Sequence, residues 1–100
     1  MSDATRDASD EIVVVLVTAP GAEAAAAIAR ALVEERLAAC GNVLSDIRSI
    51  YAWEGKVQDE PEALLVLKAP RAKLQELTER VQALHPYAVS YTHLTLPTKA

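Results

Sequence analysis

A chain of 100 residues makes one domain with one modest core, and because Phe is absent that core must come from the Ala, Val, Leu and Ile that dominate its 51% apolar content. Net charge is −4, of which Met1–Glu11 supplies −3 through Asp3, Asp7, Asp10 and Glu11 against Arg6. The balanced remainder offers no basic stripe for a nucleic-acid backbone, and the single cysteine excludes an intrachain disulfide or a Cys-x-x-Cys metal knuckle.

The acidic segment 1–11 lacks the apolar stretch of a secretory signal and reads as a solvated, disordered arm. A cytoplasmic location is the expectation. The longest apolar run, Ile12–Val17, is strand-length and far short of the roughly 18 residues of a membrane span. It is β-branched without alternation, which predicts a central strand buried on both faces. Ala19-Pro20-Gly21 breaks it, and Ala22–Ala39 then reads as a helix. Ala25, Ile28, Ala29, Leu32 and Val33 face inward there, and Gly41 is its C-terminal stop.

A strand is predicted over Val43–Trp53, with Ile47, Tyr51 and Trp53 on one face and Arg48 and Ile50 on the other. Glu54-Gly55-Lys56 has the length and glycine of a tight hairpin. The return strand begins acidic (Asp59, Glu60, Glu62) and ends apolar (Ala63–Leu67). Pro61, which cannot donate to a ladder, puts the acidic part at an edge, in a bulge or beyond the sheet. Pro70 opens a second helix with Leu74, Leu77, Val81 and Leu84 inward, and Pro86 ends it.

The order β-α-β-β-α, with one more strand from Tyr87 onward, predicts an α+β, ferredoxin-like βαββαβ sandwich. Two helices cover one face of such a sheet. The other face would expose Val, Ile and Leu unless a further subunit covers it, so an oligomer is expected.

Five short motifs carry a family resemblance: Val15-Leu-Val-Thr-Ala-Pro20, Leu37-Ala-Ala-Cys40, Ser49-Ile-Tyr-Ala-Trp-Glu-Gly-Lys56, Leu67-Lys68 and His85-Pro-Tyr87. Over residues 12–89 the chain resembles the CutA family of divalent-cation tolerance proteins. The resemblance implies a PII-like homotrimer whose long hairpin strands reach between subunits, with Tyr51, Trp53, Glu54 and Lys56 as assembly residues. It also implies a non-catalytic role and a link to copper or another divalent cation. Copper-binding members look to use a Cys in the first strand and a His-His pair before the Pro. Here those positions are Val17 and Leu84, and only His85 matches. Residues 90–100 depart from the family pattern: Ser90-Tyr91 replaces the usual Pro-Glu, and Thr92–Thr98 holds three of the six threonines, so this stretch reads as a foreign tail.

The metal candidates are His85 and, second, Cys40. His85 can equally bond the last helix carbonyls, and Cys40 can be a small apolar residue at a helix end. His93 lies in the tail and is assigned nothing. Asp59-Glu-Pro-Glu62 suits harder cations but reads as a solvated face, with Glu60 or Glu62 able to pair with Lys56 or Lys68 across an interface. Tyr51 and Trp53 could stack on a ligand, although packing suits them better.

Enzymatic readings find no support. Ser45 and Ser49 lie on a strand without a Gly-x-Ser-x-Gly setting or a neighbouring His. Gly21, Gly41 and Gly55 are isolated, so no phosphate loop exists, and the topology shared with acylphosphatases licenses no activity. The alternative function is a PII-like signalling module that holds a small effector between subunits.

Overall fold

The computed structural model describes residues 11–84 and the short strand at 96–98. Strand β1 (Ile12–Ala19) leads into helix α1 (Ala22–Glu34), and strands β2 (Cys40–Trp53) and β3 (Lys56–Pro70) form a long hairpin. A 3₁₀ turn (Arg71–Lys73), helix α2 (Leu74–Leu84) and strand β4 (Leu96–Thr98) follow. The sheet order is β2-β3-β1-β4 with every pairing antiparallel. This is the ferredoxin-like βαββαβ fold, α+β in class. Its fourth strand, at 96–98, follows Tyr87 as expected and falls inside the stretch that composition sets apart.

One face of the sheet meets the helices. Along β1, Val13, Val15, Val17 and Ala19 are buried, and along β3 Ala63, Leu65, Leu67 and Ala69 are buried beside them in register. From α1 come Ala25, Ile28, Ala29 and Leu32, at the i, i+3, i+4, i+7 spacing of one helix face; α2 gives Leu77 and Val81. Val33, expected inward, is exposed. Each large aliphatic side chain buried here is worth about 1.5–3 kcal/mol.

Among the described residues no helix covers the opposite face. Ile12, Val14, Leu16 and Thr18 of β1 stand on it half-buried, alternating with the buried positions. The expectation that β1 is buried on both faces is therefore corrected: among the described residues one face is buried and the other only half-buried. Leu64 and Val66 of β3 join this open face, and Leu44 of β2 lies beside them, exposed.

Helix α1 is shorter than predicted, ending at Glu34 rather than Ala39. The cause is Arg36, which adopts φ 62°. The amide of Leu37 donates to the Leu32 carbonyl (2.9 Å) and that of Arg36 to the Val33 carbonyl (3.0 Å). This is a Schellman motif with arginine where glycine is usual. Gly41 is accordingly no helix stop. It lies within β2, and a Cβ there would come within 2.9 Å of the Ala29 Cβ, so its lack of a side chain lets α1 approach the sheet closely. Strand β2 also starts earlier than predicted, at Cys40, which moves Cys40 from a helix end to a strand.

The hairpin outgrows the sheet. β1 pairs with β3 only from Ala63 to Pro70, whereas β2 accompanies β3 down to Trp53↔Lys56. Residues 47–62 therefore form a two-stranded arm extending about 20 Å past the end of β1 at ~3.3 Å per residue. A register shift between Leu44 and Ile47, with Asp46 at φ 62°, marks its root as a β-bulge. Glu54 (φ 50°) and Gly55 (φ 76°) close its tip as a two-residue turn with both φ positive, which suits the twist of the strands. Pro61 sits in the arm opposite Arg48, where β3 has a neighbour on one side only, so the edge reading of Pro61 holds.

Candidate functional site

The sequence candidates converge on the arm and on the open face continuous with it. Register places Ile47, Ser49, Tyr51 and Trp53 of β2 on the same face as Glu62, Glu60, Gln58 and Lys56 of β3. That face runs into Leu64 and Val66 of the open sheet. The other face, on the side of the helices, carries Arg48, Ile50 and Ala52 with Pro61, Asp59 and Val57.

Two diagonal cross-strand pairs brace the arm. Arg48 donates to both carboxylate oxygens of Asp59, its Nε at 3.2 Å from Oδ1. This bond holds the guanidinium pKa above its ordinary value. On the opposite face the Tyr51 hydroxyl donates to Glu60 Oε1. That hydrogen bond is the largest cause of a raised Tyr51 pKa; some desolvation and the negative charges of Glu60 and Glu62 add to it. Within one chain two of the acidic residues thus have partners. Glu60 takes the Tyr51 hydroxyl and Asp59 takes Arg48.

Of the predicted assembly residues, Tyr51 (41% exposed) and Trp53 (62%) share the open face of the arm. Glu54 forms the turn, and Lys56 stands opposite Trp53. A lone indole this exposed on one chain has no core role there. Sequence reasoning also missed two residues on the other face, Ile50 (65% exposed) and Val57 (77%). The signal was available, because each is an aliphatic residue of high strand propensity flanked by polar or small neighbours.

The metal candidates fare differently. Cys40 is half-buried at the start of β2, opposite Lys68, and its Sγ donates weakly to Asn42 Oδ1 at 3.6 Å. Lys68 is exposed, and the register puts it on the same face as Cys40. Val17, in the strand position where copper-binding members look to carry a Cys, is a core residue at 1% exposure. Among the described residues no three His, Cys, Asp or Glu side chains converge as a metal would need. His85, with Pro86, Tyr87 and His93, lies outside the described residues, as does 1–10 of the acidic segment.

A shallow groove of about 360 Å³ runs between α1 and the outer edge of β2, lined by Ala26, Ala29, Val33, Gly41 and Val43 with Arg30 and Glu34 at its rim. Beyond it, Arg80 of α2 makes a two-pronged ion pair with Glu35, at 2.8 and 2.9 Å. The hydrogen bonds from Arg80 hold the Glu35 carboxyl below its ordinary value.

Comparison with known proteins agrees with this geometry. The family described as CutA1 divalent ion tolerance protein matches residues 13–99. The chain belongs to that family. A divalent-cation tolerance protein CutA from Thermus thermophilus is 53% identical over 76 residues, covering 76% of this chain and 74% of its own length. A chloroplastic CutA from Arabidopsis thaliana is 48% identical over 77 residues, which is 77% of this chain but 42% of the plant protein.

Solved CutA structures superpose on the fold. CutA1 from Oryza sativa has a TM-score of 0.85 at 41% identity, covering 94% of this chain and 85% of that one. A CutA from Archaeoglobus fulgidus described as periplasmic has a TM-score of 0.81 at 32% identity, covering 89% and 85%. CutA proteins are thus known from more than one compartment. Among the described residues of this chain no helix is long and apolar enough to cross a membrane.

Proposed function

We propose that this CutA chain is a non-catalytic homotrimeric scaffold serving tolerance to divalent cations. The observation that carries the reading is the open sheet face, aliphatic from Ile12 to Leu16 and from Leu64 to Val66, prolonged by an arm with exposed Tyr51 and Trp53. A face of that kind on a small domain needs cover from another polypeptide, and identical copies are the commonest source of it. The relatives' naming as divalent-cation tolerance proteins supplies the biological side. The single cysteine fits a reducing compartment, and we assign the protein to the cytoplasm.

Its own affinity for copper is weak in this reading. His85 is the one ring donor that keeps the family position, and one donor is not a site. Cys40 is a distant second, since Lys68 stands opposite it. Native mass spectrometry with a slight excess of copper tests both parts. The expected result is a three-chain species with loosely held copper that is lost on His85→Ala. A three-chain species that takes no copper refutes the metal part. A monomer refutes the scaffold.

A further inference from the structure

The groove between α1 and the outer edge of β2 lies apart from both the open sheet face and the arm. Val33 of α1 and Val43 of β2 line it, at 39% and 38% exposure, and the small residues Ala29 and Gly41 hollow it out between them. Arg30 and Glu34 stand at its rim, both exposed. They are i, i+4 neighbours on one helix, with Cβ atoms about 5–6 Å apart. A base followed by an acid is the weaker order for an ion pair along a helix, and among the described residues neither forms a salt bridge. The adjacent Glu35, by contrast, is held by Arg80. Over the outer side of α1 the groove continues into a second depression of about 370 Å³, where Ala27 and Ala31 line the surface and Glu23 adds a further carboxylate.

We propose that this groove binds an aliphatic α-amino acid. The Arg30 guanidinium takes its carboxylate, the Glu34 carboxylate takes its ammonium, and its side chain lies in the hollow between Val33 and Val43. Charge selects this class of ligand. One guanidinium at the rim matches a single carboxylate in the two-pronged geometry it favours. Glu23 and Glu34, on either side of Arg30 along the helix, repel a second negative charge, which disfavours nucleotides and other polyanions. A fatty acid would leave Glu34 without a partner, and an alkylamine would leave Arg30 so. A molecule with both charges on one carbon meets both groups at once. An apolar hollow with a few converging polar groups is the usual make-up of a small-ligand site, and about 360 Å³ falls within the size of such sites. The inference does not rest on the trimer reading, since every residue it uses comes from one chain.

The test is a titration of L-leucine into the full, isotope-labelled chain, followed by amide chemical shifts. Saturable shifts confined to residues 26–34 and 41–43 are expected. Isocaproate, which lacks the ammonium, and isoamylamine, which lacks the carboxylate, should each bind about tenfold more weakly, the loss of one hydrogen bond between charged groups. Arg30→Gln should weaken leucine by a similar factor and abolish its advantage over isoamylamine. Glu34→Gln should abolish its advantage over isocaproate. Both side chains are exposed, so the core is left undisturbed. Ala26→Leu, which fills the groove from the helix side, should remove binding with both charges in place. Absence of leucine-dependent shifts at millimolar concentration overturns the inference. So do shifts that survive both charge variants unchanged, or tighter binding of ATP at the same amides. None of these outcomes bears on assembly of the chain into a trimer.

Discussion

Gly41 makes a sharp claim about how α1 docks on the sheet. In the Gly41→Ala variant the new methyl would lie 2.9 Å from the Ala29 Cβ, 3.3 Å from Leu67 Cδ2 and 3.5 Å from Leu65 Cδ1. The leucine methyls are ends of flexible side chains and can give way. The Ala29 methyl is fixed to the α1 backbone, so relief requires the helix to move off the strand by most of an ångström. Overpacking of this kind costs about 1–3 kcal/mol. Against it stands the roughly 0.5–1 kcal/mol that a strand gains when Ala replaces Gly. The net expectation is a loss of about 1–2 kcal/mol, read as a lowered urea midpoint with an unchanged slope. Ala29→Gly in the same chain removes the opposing methyl. It costs about 1 kcal/mol alone as a helix glycine, yet in the Gly41→Ala background it should cost much less or nothing. Coupling of about 1 kcal/mol between the two sites is the signature of direct contact. A neutral or stabilising Gly41→Ala with Ala29 intact would refute the close approach.

Two further expectations follow from named backbone and ionic features. Arg36 holds a left-handed conformation that costs an L-residue roughly 1–2 kcal/mol, so Arg36→Gly should stabilise by about 0.5–1 kcal/mol after the added freedom of the unfolded chain is subtracted; a loss of stability in thermal unfolding would count against the Schellman cap. The lowered Glu35 carboxyl contributes stability that is present above the ordinary carboxylate range and is lost as pH falls through its lowered folded value. Arg80→Gln should therefore flatten the fall in stability below about pH 4.5, measured by urea midpoints at stepped pH, and should leave the neutral-pH fold intact; an unaltered acid limb would show that the pair has no linkage to folding.

The sequence was most legible where periodicity and chain breaks coincide. Ala25, Ile28, Ala29 and Leu32 declare the buried face of α1, and Glu54-Gly55 declares the tip of the hairpin. The five motifs carried the family, and the family carried the fold. Boundaries were harder for definable reasons. Arg36 ends a helix from a conformation arginine rarely adopts, so composition gave no warning, and Gly41 drew attention as a stop when its role is steric. The unbroken run Ile12–Val17 reads as a strand buried on two sides, because an aliphatic face left half-buried looks in sequence like one packed in the core. Of the candidate site, Tyr51, Trp53, Glu54 and Lys56 lie together on the arm. The pairing of Glu60 with Tyr51 was invisible, since it depends on a diagonal across the ladder. His85 lies outside the described residues.

The two long edges of the arm are unlike each other. Along β3 the outer edge from Val57 to Glu62 carries Pro61, which lacks a donor, and three carboxylates that repel an approaching strand of the same kind. The outer edge of β2 has no proline and no lysine between Cys40 and Trp53. Strand addition through the arm can therefore begin on one side only. Two arms that met edge to edge would join through β2 and present guarded β3 edges outward, so the ladder would end after a single step. A fibril needs every added strand to offer a fresh edge to the next. The proline and its acidic neighbours thus guard one edge of a long ribbon against the repeated strand addition that a fibre needs.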